Sequence, residues 1–256
     1  MILAVDIGNT NIMFGCISDE GIHFVEEIST QRKRTVTEYV IILKSIFEMN
    51  NVSAEDIEGS IISSVVPELT SEVKNSVIKY LNTDVMVVGP GIKTGLNILI
   101  DNPAQLGSDL LVDSVAAVSE YNGPLIVVDM GTATVFCVIN GKNQYIGVII
   151  APGIRTSLDS LVLKASLLPH ISLERPRNII GKNTAECMKS GIIFQSVSAV
   201  DGMIERIEDE LGESCTIIAT GASAGAIIPL CKRKDIILDE NLLLKGLKVI
   251  YDKNRR

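Results

Sequence analysis

AVDIGNTNIMFGC (residues 4–16) and LIVVDMGTATVFCVINGKNQYIGVII (residues 125–150) are two copies of one pattern. Each runs from an apolar strand to an Asp, one apolar residue, a Gly, small polar residues and a second apolar strand. A shift of 123 positions lays Asp6 on Asp129, Gly8 on Gly131 and Asn11 on Thr134. Both copies then turn, at Ser18-Asp19-Glu20-Gly21 and at Asn140-Gly141-Lys142-Asn143, and a third strand is expected near residues 22–28 and 144–150. Burying the acid unpaired would cost on the order of several kcal/mol, so each Asp is paired, exposed at a cleft or holding a metal. Taken singly, either Asp-x-Gly also reads as a strand-end turn steadied by its own acid. Two copies at matching places predict a two-walled phosphate site instead. Backbone amides and hydroxyls would grip the phosphates, and the carboxylates would hold a cation that neutralises them.

The rest of the chain alternates strand and helix. Apolar spacing predicts helices over 37–50, 67–81, 107–121 and 184–211, another within 222–232, and a last one from Asn241 onward. Strands are expected at 60–66, 85–88, 216–219 and 236–238. The repeat puts a boundary near residue 122, at Asn122-Gly123-Pro124. This divides the chain into 1–122 and 123–256, with the final helix free to pack back on the first half. The two halves read as similar three-layer units facing each other across a cleft.

Composition narrows the function. The 256 residues are 46% hydrophobic and 21% charged, but only 4% aromatic, so Ile, Val and Leu supply the core and favour strands covered on both faces. A net charge of −8 argues against general nucleic-acid binding, and Arg32-Lys33-Arg34 is too short to be more than a solvated loop. Five cysteines without CxxC spacing and only two histidines argue against zinc and fit free thiols in a reducing cytoplasm. Asp6 interrupts the N-terminal apolar run, and no run reaches membrane-spanning length. A cytoplasmic globular protein is expected.

DIGNTN (6–11), SSVVP (63–67), VVGPGIKTGLNI (87–98), DNP (101–103), GSD (107–109), VDMGTAT (128–134), APGI (151–154), LERP (173–176), IGKNT (180–184) and IATG (218–221) together resemble the type III pantothenate kinases. These belong to the acetate kinase, hexokinase, Hsp70 and actin superfamily. The resemblance implies an α/β fold of duplicated ribonuclease H-like domains, of the actin/Hsp70/sugar kinase type, with an interdomain cleft. It implies ATP-dependent phosphorylation of pantothenate to 4'-phosphopantothenate, the first step of coenzyme A synthesis. Position by position, it makes Asp6, Gly8, Asn9, Thr10 and Asn11 the first phosphate-binding turn, with Asp6 on the Mg²⁺ of ATP. Asp129 would hold a monovalent cation, K⁺ or NH₄⁺, and Thr132 would contact ATP from the second wall. Asp109 corresponds to the catalytic base. Gly107, Ser108, Asp109 and Thr184 match substrate-binding positions, with Thr184 reaching the site of the other subunit of a homodimer. The long helix from Thr184, with Gly191, Ser198 and Gly202 spaced along it, reads as that dimer interface or as an ordinary buried amphipathic helix. From the residues alone, Asp109 also reads as a helix cap.

Two departures fall on the acceptor side. The family's Gly-x-Asp-Arg is Gly107-Ser108-Asp109-Leu110, and the Tyr before Asp-Asn-Pro is Ile100. Two others are Gly147-Val148 for Gly-Gly, and Thr220-Gly221-Ala222 for Thr-Gly-Gly. Losing an Arg partner for a buried anion costs about 2–5 kcal/mol. The nucleotide positions are thus equipped and the acceptor positions altered. Beside a pantothenate kinase of reduced efficiency stand two alternatives: a divergent kinase with another acceptor, and a non-catalytic regulator of the Bvg accessory factor type.

Overall fold

The computed structural model describes residues 1–255. The chain opens with β1 (Ile2–Ile7), β2 (Asn11–Ser18), β3 (Gly21–Ser29), α1 (Val36–Met49), β4 (Gly59–Ser64), α2 (Pro67–Leu81) and β5 (Val85–Val87). It continues through β6 (Asn97–Ile98), α3 (Ser108–Glu120), β7 (Leu125–Met130), β8 (Ala133–Ile139), β9 (Gln144–Pro152) and α4 (Ile154–Lys164). Then come α5 (Thr184–Leu211), β10 (Thr216–Thr220), α6 (Ala224–Ile227), β11 (Ile237–Leu238) and α7 (Leu242–Asn254), with short 3₁₀ turns between some of them. Among the described residues no helix is long and apolar enough to cross a membrane.

These elements form two compact units. The first comprises residues 1–95, 101–119 and 242–256, and the second residues 96–100 and 120–241. The sequence boundary near 122 therefore falls at 119/120 in the packed chain. In addition, β6 belongs to the second unit and α7 to the first.

Each unit is built on the same sheet. The first has the order β3-β2-β1-β4-β5; the second, β11-β10-β7-β8-β9-β6, repeats it and adds β6 at the far edge. In both, the first three strands form an antiparallel meander and the fourth lies parallel to the first. Residues 2–7 and 125–130 are thus equivalent strands, separated by the 123 positions read from the sequence. This is a duplicated ribonuclease H-like architecture. Register shifts at Cys16/Ile17 and at Val138/Ile139 put a bulge at the same place in each meander.

Alternation along β1 sorts its side chains between two faces. Leu3, Val5 and Ile7 enter a core with Phe14, Leu43 and Phe47. Ile2, Ala4 and Asp6 point to the other face, as do Gly59, Ile61 and Ser63, their register partners on β4. In the second unit Ile126, Val128 and Met130 pack with Ile154, Leu158, Met188 and Ile192. Helix ends carry their own signals. Thr35 and Glu38 make a capping box before α1, and α5 starts at the Asn183 cap and stops at Gly212.

The last helix closes the first unit. Leu244 of α7 sits over Gly15, and Gly246 lies so near α3 that an added Cβ would come within 2.1 Å of the Val112 carbonyl oxygen. Asn254 holds the loop between β5 and β6, donating to the Lys93 carbonyl at 2.8 Å and accepting from the Lys93 N–H at 3.0 Å. Gly246→Ala should lower the unfolding free energy by about 1–3 kcal/mol through overpacking, despite a helix-propensity gain of about 1 kcal/mol. Urea titration of wild type and variant measures the difference.

Candidate functional site

In the first unit the site residues gather where β1 and β4 end. The apolar stretch of β1 runs to Ile7, with half-buried Asp6 pointing to the α3 and α7 side. The chain then turns through Gly8, Asn9 and Thr10 into β2, closed by a hydrogen bond from the Gly8 N–H to the Asn11 carbonyl at 3.0 Å. Asn9, Thr10 and Asn11 are exposed, and the Asn11 side-chain amide donates to Glu27 at 2.9 Å. A bend with a half-buried acid at its base and exposed backbone beyond it suits a phosphate with its counter-cation.

Asp6 lies opposite Ser63 across the β1–β4 pair. The Ser63 hydroxyl is 3.0 Å from that of Ser108. Ser108 also donates to the Ser64 carbonyl and accepts from the Ser64 N–H, each at 3.0 Å. These bonds tie the first turn of α3 to the end of β4, bringing Asp109 to the same end of the sheet as Asp6. Ser108, expected as a substrate contact, uses its hydroxyl for this bridge. Gly107 precedes the helix, its carbonyl accepting from the Leu111 N–H at 3.1 Å. Asp109 Oδ1 accepts from the Leu110 N–H at 2.8 Å. Burial pushes the Asp109 carboxyl above its ordinary range, and hydrogen bonds from the Leu110 and Asp109 backbone amides pull partly the other way. No charged side chain contributes to that shift. A carboxyl placed this way is suited to accept a proton from an alcohol. Leu110, beside it, is buried.

In the second unit Asp129 lies one residue before the end of β7, the position equivalent to Asp6. Gly221, at φ +92°, packs against it; a Cβ there would stand 2.4 Å from Asp129 Oδ1 and 2.6 Å from the Met130 nitrogen. Only glycine fits that approach at that backbone angle. The Met130 carbonyl accepts from the Ser223 N–H at 3.0 Å, tying the β10–α6 turn to the end of β7. Thr132 is exposed, and its carbonyl is held by the Gly153 N–H at 3.1 Å and the Thr156 hydroxyl at 2.7 Å. Thr184, exposed at the start of α5, lines a cavity of about 550 Å³ with Thr156, Leu161, Met188 and Ile192. Thr156 therefore touches Thr132 and also lines the cavity beside Thr184. Ile100 is half-buried just beyond β6, whose pairing with β9 is extended by the Leu99 N–H donating to Tyr145 at 2.8 Å.

Two residues that sequence reasoning passed over, Thr156 and Ser223, join turns far apart in the chain. Thr156 acts through its hydroxyl, whose only sequence signal is a threonine just inside a helix, and Ser223 acts through its backbone N–H, which leaves no signal in the sequence.

The sequence profile of the type III pantothenate kinases matches residues 2–206. A type III pantothenate kinase of Exiguobacterium sibiricum is 43% identical over 255 residues, covering 100% of both chains. The chain belongs to the type III pantothenate kinase family. Two solved structures are similar in fold. MreB 5 of Spiroplasma citri has a TM-score of 0.53 at 12% identity, covering 98% of this chain and 96% of its own. The ROK hexokinase of Thermus thermophilus has 0.51 at 9% identity, covering 98% of each chain. The duplicated sheets of this pantothenate kinase family member are those of the actin, Hsp70 and sugar-kinase fold.

The raised pKa of Asp109 has a consequence for stability. Its ionised form is less favourable in the folded chain than in the unfolded one, so folding is penalised above the folded pKa and not below the unfolded one. Asp109→Asn should therefore melt at a higher temperature than wild type at pH 7. The difference should shrink as the pH falls through the carboxylate range, read by thermal unfolding across a pH series.

Proposed function

We propose that the protein transfers the γ-phosphoryl group of ATP to the primary hydroxyl of pantothenate, with Asp109 as the base. The observation that carries this reading is the half-buried Asp109 carboxyl, held by backbone amides at the sheet end it shares with Asp6. A primary alcohol ionises far above neutrality, so a carboxylate beside it takes the proton as the oxygen bonds to phosphorus. The bond from phosphorus to the bridging oxygen of ADP breaks in the same displacement, and ADP leaves. In this reading Gly8, Asn9, Thr10 and Asn11 bind phosphate, and Thr132 also contacts ATP. Thr184 reaches the acceptor in the other subunit's site, and the Gly107–Leu110 turn and Ile100 are acceptor-side positions.

Among the described residues no cluster of three or more His, Cys, Asp or Glu forms a metal cage. A Mg²⁺ carried by ATP needs one or two carboxylates and takes its other ligands from phosphate and water. Asp6 is the carboxylate for it, and bound Mg²⁺ would offset the charge that gathers on the phosphates. Asp129 serves K⁺ or NH₄⁺ in this reading, with backbone packed closely around it.

Leu110 and Ile100 make the acceptor side less able to hold the pantothenate carboxylate, so affinity for pantothenate is reduced while the reaction is retained. Identity of 43% along the whole chain favours this kinase over the divergent-acceptor and regulatory alternatives.

The homodimer is also part of the proposal. Leu163, Leu167, Ile179 and Ile180, from the end of α4 to the segment before α5, are 80%, 94%, 67% and 78% exposed. Four large apolar side chains on one short stretch of a unit suit a protein interface.

Turnover should require ATP, Mg²⁺ and pantothenate together. Asp109→Asn should lower kcat about 10²–10⁴-fold in a coupled ADP-release assay; full activity in the variant would refute the assignment of the base. Sedimentation should give a dimer for wild type and a monomer for Leu167→Glu/Ile180→Glu.

A further inference from the structure

The bend between β1 and β2 is gripped by a residue that no motif singled out. Thr30 directly follows β3, and both its polar groups reach back to the bend. Its N–H donates to the Thr10 carbonyl at 2.8 Å, and its hydroxyl donates to the Gly8 carbonyl at 2.7 Å. Three residues earlier on β3, Glu27 accepts the Asn11 side-chain amide at 2.9 Å. One strand end thus holds the bend at Gly8, Thr10 and Asn11.

The consequence follows from peptide geometry. In a trans peptide the carbonyl and the next residue's N–H point in opposite directions. With the Gly8 carbonyl drawn toward Thr30, the N–H of exposed Asn9 is turned away from β3. A carbonyl oxygen facing a phosphate repels it, whereas an N–H attracts it. Thr30 engages two carbonyls that would otherwise be free to swing toward the anion. The grip spans 22 residues, so it depends on β3 and not on the bend's own sequence.

We propose that Thr30 is a positioning residue for nucleotide phosphate, setting which way the Gly8–Asn11 bend presents its amides. The inference rests on the reading of that bend as a phosphate turn. Thr30→Val matches the side chain in shape, keeps the backbone N–H and deletes the hydroxyl; Thr30→Ser keeps the hydroxyl. Calorimetric binding of ATP, ADP and adenosine to each full-length protein, with KM for ATP and for pantothenate, tests it. Thr30→Val should weaken ATP and ADP about tenfold, the loss of one well-placed hydrogen bond. Adenosine affinity and KM for pantothenate should be unchanged, and Thr30→Ser should stay within about twofold of wild type. Unchanged ATP affinity in Thr30→Val would overturn the proposal. So would equal weakening of adenosine, which marks general damage, or failure of Thr30→Ser to behave like wild type. Failure of the underlying reading shows separately, in wild type: ATP binding no tighter than adenosine would remove the phosphate turn, and the role of Thr30 with it.

Discussion

The central strand of each unit is buried on both faces along its length, and the burial relaxes only at its C-terminal end. Residues 2–5 of β1 and 125–128 of β7 are fully buried, so an unpaired charge there would be costly. The parallel neighbours β4 and β10 pair with them to the last residue. A charged group can therefore enter these strands only where the covering layers end. Asp6 and Asp129 stand at that point, one residue before the end of each strand. Three features of the candidate sites are arranged around these ends: the Gly8–Asn11 bend, the Ser63–Ser108 bridge, and the Gly221 approach to Asp129. Ligands collecting beyond the carboxyl ends of parallel strands is the general behaviour of open α/β sheets.

The parts of this arrangement that repeat locally were legible from the chain. The Asp-x-Gly pattern and each meander lie within about thirty residues, the pattern of apolar strands carries them, and their recurrence 123 positions later shows the duplication. Helix α5 announced both its ends, through Asn183 and Gly212. Helix α4 passed unnoticed although Ile154, Leu158, Leu161 and Val162 fall at helical spacing; only the first two of its eleven residues are buried, and polar residues fill the turns between. Strand β6 has two residues, too few for any period. Its place at the edge of the second sheet, and that of α7 in the first unit, are decided by packing.

The site divides along the same line. Asp6, Gly8 and Asp129 stood out because an acid beside a glycine at a strand end is an anomaly that local sequence displays. Asp109 did not: by itself it looks like any acid in the first turn of a helix. Its distinction comes from burial and from a tether that joins Ser108 to residues 44 and 45 positions earlier. Thr30 and Thr156 are of the same kind, ordinary threonines whose importance lies in the distant carbonyls they reach. Leu110 shows a further limit. The substitution is plain in the sequence, but only the structure shows that the side chain is buried.

The return of α7 to the first unit also orders events in the life of the chain. The second unit is assembled mainly from one continuous run, 120–241, whereas the first needs residues 242–256. On a ribosome, synthesis passes through the whole second unit before Leu244 can cover Gly15, or Asn254 can hold Lys93. Until then one face of the N-terminal sheet lacks its last covering helix. The half of the protein made first is thus the half completed last, and the nascent chain must keep that apolar face from other partners in the interval.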